Sequence, residues 1–213
     1  MESVDGHSNA LEFATAIRVG DDSFIKKFLE NSTAHILDSK VRFDLRIKLS
    51  KASNCNGSKP CPSVELDPKS LEMATMVVFP LHLAILAKQD EIVRTILNHV
   101  VNTSNNHTEA VKNALAVRTE IQFPGESPEM FSETDRMLDG MNSIHIATKY
   151  HAQSLHAIIQ LLIQEDLIDK IRFLLEDGDG HIGNTPLHVA AICPRSISLR
   201  YTVTIRLTLH FLP

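Results

Sequence analysis

Asn184-Thr185-Pro186-Leu187-His188-Val189-Ala190-Ala191 is the stretch on which the fold turns. Proline in the first turn of a helix forfeits no hydrogen bond, because the amide it lacks has no partner there anyway. Thr185, just before it, can cap the helix N-terminus. His188, three residues after Thr185, is suited to bridging backbone groups of adjoining turns. Ala190 and Ala191 let a short helix lie close to a partner. Two related stretches lie upstream: Pro80-Leu81-His82-Leu83-Ala84, and Ser143-Ile144-His145-Ile146-Ala147. The first is followed by Ile92, Val93, Ile96 and Leu97, the second by Leu155, Ile158, Ile159 and Leu162. Spacings of three and four predict a second, amphipathic helix after each. A fainter unit runs through Ala16-Ile17, Gly20-Asp21, Phe24-Ile25 and Phe28-Leu29.

The Thr185 to Ala191 segment is close to Thr-Pro-Leu-His-x-Ala, and the chain resembles the ankyrin-repeat family over about 10–32, 78–99, 141–165 and 182–192. The resemblance implies an all-α fold, a solenoid of helix-turn-helix units with long insertions. It implies a non-enzymatic scaffold or adaptor that binds another protein through its turn tips and concave helical face. Mapped position by position, the partner-binding candidates are Met141 and Asn184 at the turns, with Lys88, Gln89 and His151 at the helix-to-helix corners. The structural set is Pro80, Leu81, His82, Ala84, Ile144, His145, Ala147, Thr185, Pro186, Leu187, His188 and Ala190. Two narrower readings stay open: an inhibitor of NF-kappa-B-type transcription factors, or the cytoplasmic ankyrin segment of a membrane channel or receptor.

The spacing departs from the family period of about 33 residues. His82 to His145 spans 63 residues, His145 to His188 spans 43, and Ala14 to His82 spans 68. The expected organisation is therefore an N-terminal degenerate repeat over 1–32, an insertion over 33–70, a repeat over 71–100 and a second insertion over 101–138. A repeat with an extra helix follows over 139–181, then the start of a further repeat over 182–192 and a tail over 193–213. In the first insertion Val41, Phe43, Leu45, Ile47 and Leu49 alternate with charged residues, which suggests a strand, although Val41, Leu45 and Leu49 also fit a helix. Residues 52–70 have loop composition. Asp166 to Glu176 places Leu167, Ile171, Leu174 and Leu175 on one helical face, with Asp166 as its N-cap. In the tail, Leu199 to Phe211 alternate as in a strand that a helical solenoid leaves without a sheet, so the expectation is a chain cut or spliced inside its last repeat.

Composition narrows the function. Net charge is −5, with 21 basic and 26 acidic side chains, which disfavours direct nucleic-acid binding by bulk charge. Three cysteines and an N-terminus without a basic or apolar leader fit neither a disulfide scaffold nor a signal peptide. The uncharged run Met73 to Ala87 is too short to span a membrane. The expectation is an intracellular chain, cytoplasmic or nuclear, with no membrane partner. Cys55 and Cys61 lack a second ligand pair at zinc-site spacing. Asp177-Gly178-Asp179-Gly180-His181 opens like a calcium loop, but Ile182 and His188 stand where that loop needs Gly and Glu, so a β-turn explains its glycines. No phosphate-binding, dinucleotide, nucleophile-elbow or zincin motif is present. The expectation is thus no catalytic residue, no metal and no cofactor. Residues 122–135 are acidic and rich in Pro and Ser, and Ser127, Ser132 and Thr134 are candidate phosphorylation positions.

Overall fold

The computed structural model describes residues 4–31, 43–50, 71–123, 136, 138–167, 172–179 and 183–192. Of these, 66% are helical, and the rest includes one antiparallel sheet, so the chain is mostly helical rather than all-α. The elements, in chain order, are helices α1 (Val4–Val19) and α2 (Asp22–Asn31), strands β1 (Phe43–Ser50) and β2 (Leu71–Val78), and helices α3 (Pro80–Leu86), α4 (Asp90–Thr103) and α5 (His107–Ala116). Strand β3 (Glu120–Gln122) follows, then helices α6 (Ser143–Tyr150), α7 (Ala152–Gln164), α8 (Phe173–Glu176) and α9 (Pro186–Ile192).

Three helix pairs share one construction. α1 folds back on α2, α3 on α4, and α6 on α7. The first helices then lie side by side, α1 against α3, α3 against α6, and α6 against α9, while α2 packs on α4 and α4 on α7. Apolar residues at spacings of three and four explain both contacts: Ile92, Val93, Ile96 and Leu97 of α4, and Leu155, Ile158, Ile159 and Leu162 of α7, are all buried in one core with Leu81, Ile85, Ile144 and Val189. In the first pair Phe13, Ile17, Ile25 and Leu29 are buried, and Phe13 stacks on Phe28 at 4.5 Å between ring centroids. Polar bonds fasten the second helices as well. Thr95 Oγ1 donates to Asp22 Oδ1 at 2.7 Å, and Arg94 Nη2 donates to Gln160 Oε1 at 2.9 Å.

Three helices end in a residue with left-handed backbone: Gly20 (φ 81°) after α1, Lys88 (φ 59°) after α3 and Asp166 (φ 52°) after α7. In each case the next amide reaches back to a carbonyl of the last turn, from Asp21 to Ala16 and Gln89 to Ala84 at 3.0 Å, and from Leu167 to Leu162 at 2.8 Å. Such closure satisfies carbonyls that the helix end leaves unpaired. Asp166 therefore terminates α7 and is not the N-cap of a following helix. Leu167 and Leu174 are buried, but the helix that follows, α8, is a single turn, and Ile171 lies outside the described residues.

The alternating run in the first insertion forms β1, which pairs antiparallel with β2 from Phe43↔Val78 to Ser50↔Leu71. β3 adds to the other side of β2, with Met76 opposite Ile121. The apolar face of this sheet (Ala74, Met76, Val78 and Ile121, with half-buried Phe43, Leu45 and Ile47) joins the helical core. The second insertion also has structure: α5, capped by Asn106 Oδ1 accepting from the Glu109 amide at 3.2 Å, buries Val111 and Leu115 against α4 and α6. Of the acidic segment 122–135, Gln122 ends β3 and Phe123 follows it, and the rest lies outside the described residues, as do the loop 52–70, the three cysteines and the tail 193–213.

A side chain at a left-handed position carries a steric cost of about 1–2 kcal/mol. Replacing Lys88 by Gly should therefore raise stability by about 1 kcal/mol in urea unfolding. Gly20→Ala should lower it, because a Cβ there would fall 2.8 Å from Gln89 Oε1 on top of the backbone strain. Equal midpoints for both variants and the parent chain would contradict this account of the corners.

Candidate functional site

Of the three motif histidines, His145 sits at a seam between units. His145 is buried on α6, and its Nε2 lies 2.9 Å from the Asn184 carbonyl, the residue before Thr185 in the next unit. The carbonyl can only accept, so Nε2 carries the proton. His188 Nδ1 accepts from the Thr185 amide at 3.1 Å and lies 2.9 Å from its hydroxyl. At the matching point of α6, Asn142 replaces Thr and its Oδ1 accepts from the amides of Ile144 and His145 at 3.0 and 3.1 Å. At α3, Phe79 stands there and offers no cap; its ring instead meets His82 edge-on at 5.7 Å.

Arg118 locks the loops of successive units. Its guanidinium donates to the Gly140 carbonyl at 2.6 Å, the Gly178 carbonyl at 2.8 Å and the Asp177 carboxylate at 2.5 Å. Thr119 pairs with Met141 through N–H to O at 2.9 Å, and Asp179 N–H donates to the Asn184 carbonyl at 2.8 Å. Gly183 N–H also donates to Asp179 Oδ1 at 2.9 Å, while the β-turn expected over Asp177 to His181 lies partly outside the described residues. A Cβ on Gly178 would fall 2.8 Å from the Gly183 backbone, which is why the two glycines can pass so closely.

The helix corners stack in the same order as the helices. Gln89 packs its side chain against Gly20. Asp90 Oδ1 lies 3.0 Å from His151 Nδ1 and accepts from Ser154 Oγ at 3.3 Å, and Ser154 Oγ is itself 2.9 Å from that same nitrogen. A nucleophilic relay needs acid and hydroxyl on opposite nitrogens of the ring. Here both meet Nδ1, and the cluster fastens α4 to α7.

The sequence-derived binding residues separate into three fates. Lys88 is exposed at its corner. Gln89 and His151 are half-buried and engaged in the corner contacts just described. Met141 is fully buried and Asn184 is half-buried with its carbonyl bound by His145, so Met141 is a core residue and cannot present its side chain to a partner. The structure adds three residues to the corner rim that the sequence reading missed: exposed Arg18, half-buried Lys149 and exposed Tyr150, whose ring lies 5.4 Å from the Lys149 ammonium. Their signal was positional. Lys149 follows His145 by four residues, as Arg18 follows Ala14.

Among the described residues no cluster of three or more His, Cys, Asp or Glu side chains is arranged to hold a metal ion, and no helix is long and apolar enough to cross a membrane. Comparison with protein-family models, with curated proteins and with solved structures finds no match to this chain.

Burial pushes the His82 imidazole down to about 3; the Val117 backbone is near enough to oppose this, yet neither ring nitrogen makes a well-formed hydrogen bond among the described residues. Burial lowers His145 too, opposed by its bond to Asn184. Both are neutral in the folded chain and take up protons more readily once it unfolds. Their contribution to stability is therefore full above the ordinary histidine value of 6.5 and is lost as pH falls below it, for His82 down to about 3. Each group can contribute a slope of up to about 1.4 kcal/mol per pH unit. Urea midpoints should fall steadily between about pH 6.5 and 4.5, and His82→Gln should flatten that slope while lowering stability at neutral pH. An unchanged slope in the variant would contradict the burial of a neutral His82.

Proposed function

We propose that the chain is a non-enzymatic protein-binding module of the ankyrin-repeat type, with an irregular solenoid of helix pairs and long insertions. The observation that carries the reading is the recurrence, in register, of one unit: first helices α1, α3, α6 and α9 side by side, with second helices α2, α4 and α7 packed behind. The His145 to Asn184 bond supports it, since it joins a motif histidine to the turn of the following unit. A stack of this kind spreads side chains from several units over one continuous surface, which suits recognition of another protein. The binding surface in this reading is the corner rim and the adjoining face of the first helices.

Site-specific photo-crosslinking tests it. A photoreactive residue at exposed Tyr150 should form a discrete adduct with a partner protein in a cell extract, and the same residue at exposed Asn98 of α4 should not. Adducts at neither position, or only at Asn98, would overturn the assignment of this face.

A further inference from the structure

The two outer strands of the sheet differ in what lies beyond them. Beyond β3, Gly140 N–H donates to the Thr119 carbonyl at 2.8 Å and the Ile121 amide donates to Asp139 Oδ1 at 2.7 Å, so residues 139–140 cover that edge. At the other end of the order β1-β2-β3, β1 pairs with β2 alone among the described residues. An edge strand carries a row of backbone donors and acceptors that another strand can pair. Chains commonly guard it with proline, brevity or a charge on the buried face. β1 is 8 residues long, has no proline, and sets Phe43, Leu45 and Ile47 against the core. These three are only half-buried, so the helical core leaves their outer flank open. Asp44 and Arg46 are exposed on the opposite face, and neither side chain makes an ion pair or hydrogen bond among the described residues.

We infer that β1 is a self-association edge, which takes β1 of a second copy of this chain in an antiparallel pair and joins the two sheets into one. The inference rests on the sheet alone and not on the protein-binding reading. Its ground is charge register. Opposed residues of an antiparallel pair share a face, so odd positions meet odd and even meet even. A two-fold axis through Leu45 sets Leu45 opposite its own counterpart, Phe43 opposite Ile47 and Asp44 opposite Arg46, each mixed pair occurring twice by symmetry. Opposite charges facing across strands stabilise the pair, and like charges destabilise it. The neighbouring registers fail on that rule. An axis through Asp44 sets Asp44 against Asp44, and one through Ile47 sets Arg46 against Lys48. An axis through Arg46 matches Asp44 with Lys48 but drives Arg46 onto Arg46. In the Leu45 register position 48 would face Arg42, which precedes β1, so the paired stretch is Phe43 to Ile47. Phe43, Leu45 and Ile47 of the two copies then cover one another's open flank. So short a seam is small beside a standard interface, and the dimer is weak and forms with rising concentration.

Sedimentation velocity of the full chain, from micromolar to millimolar concentration, should show a monomer passing to a dimer. Asp44→Arg or Arg46→Asp alone sets like charges against each other at both mixed positions and should raise the dimer dissociation constant by roughly tenfold or more. The two reversals combined exchange the charges across the same register, and that double variant should dimerise like the parent. A second readout needs no change of charge: a photoreactive residue in place of Leu45 should link two chains, seen as a covalent dimer on a denaturing gel. A parent chain that stays monomeric throughout overturns the inference, and this is the outcome if the tail 199–211 of the same chain takes the edge instead. Single reversals that leave the dimer intact, a double variant that stays monomeric, or no covalent dimer from position 45 overturn it equally.

Discussion

A helix pair presents two apolar flanks, and folding one helix on the other covers only part of them. In this chain the rest is covered by the neighbouring pair. α4 is the clearest case, held between α2 on one flank and α7 on the other, with Ile92, Val93, Ile96 and Leu97 all buried. The dependence runs both ways along the stack. α6 packs on α3, on α7 behind it and on α9 beyond, so loss of any one pair exposes the flank of the next. Polar contacts between units follow the same logic: Thr95 to Asp22, Arg94 to Gln160, Asp90 to His151 and His145 to Asn184 each cross a seam between packed pairs.

The start of each first helix shows how little of a sequence motif must be kept when its physical task is kept. The task is to satisfy the amides of the first turn and to anchor the helix to the turn before it. Thr185 Oγ1 accepts from the His188 amide at 3.5 Å, and the His188 ring in turn accepts from the Thr185 amide. Asn142 does it with one side-chain oxygen accepting from two amides, which leaves His145 free to reach across to Asn184. At α3 the cap is lost altogether, and Phe79 packs its ring on His82 while Pro80 dispenses with one of the amides that would need a partner.

What could be read from the sequence tracks how one-sided each segment is. α4 and α7 bury one face and expose the other, so their spacing of three and four is plain, and β1 alternates apolar with charged residues over 43–47. β2 shows no clean alternation, because Met73, Ala74, Met76, Val77 and Val78 place apolar residues on both faces, Val77 being buried opposite the core face although Met73 is half exposed. α5 buries only Val111 and Leu115 fully, too short a pattern to stand out in an insertion. β3 owes its three residues to pairing with β2, a long-range contact that no local window contains. At the candidate site, Lys88, Gln89 and His151 fell at the corners because corner positions follow directly from helix length. Met141 failed because whether a loop residue points outward depends on its partners, here Thr119 and the core around Leu138.

The insertions explain why a stack with irregular spacing can keep an unbroken rim. The separations of 68 and 63 residues from Ala14 to His82 and His82 to His145 resemble two periods each, yet α1 packs directly on α3 and α3 directly on α6. The extra chain therefore adds no layer to the stack. β1 and β2 leave between α2 and α3, and α5 and β3 leave between α4 and α6. Every long excursion thus starts after a second helix. The corners inside each pair stay short: Gly20 and Asp21 in the first, Ala87 to Gln89 in the second, His151 alone in the third. Short corners can touch their neighbours, as Gln89 touches Gly20 and Asp90 touches His151, and this keeps the corners together. Length variation is confined to the side of the stack where it cannot separate them.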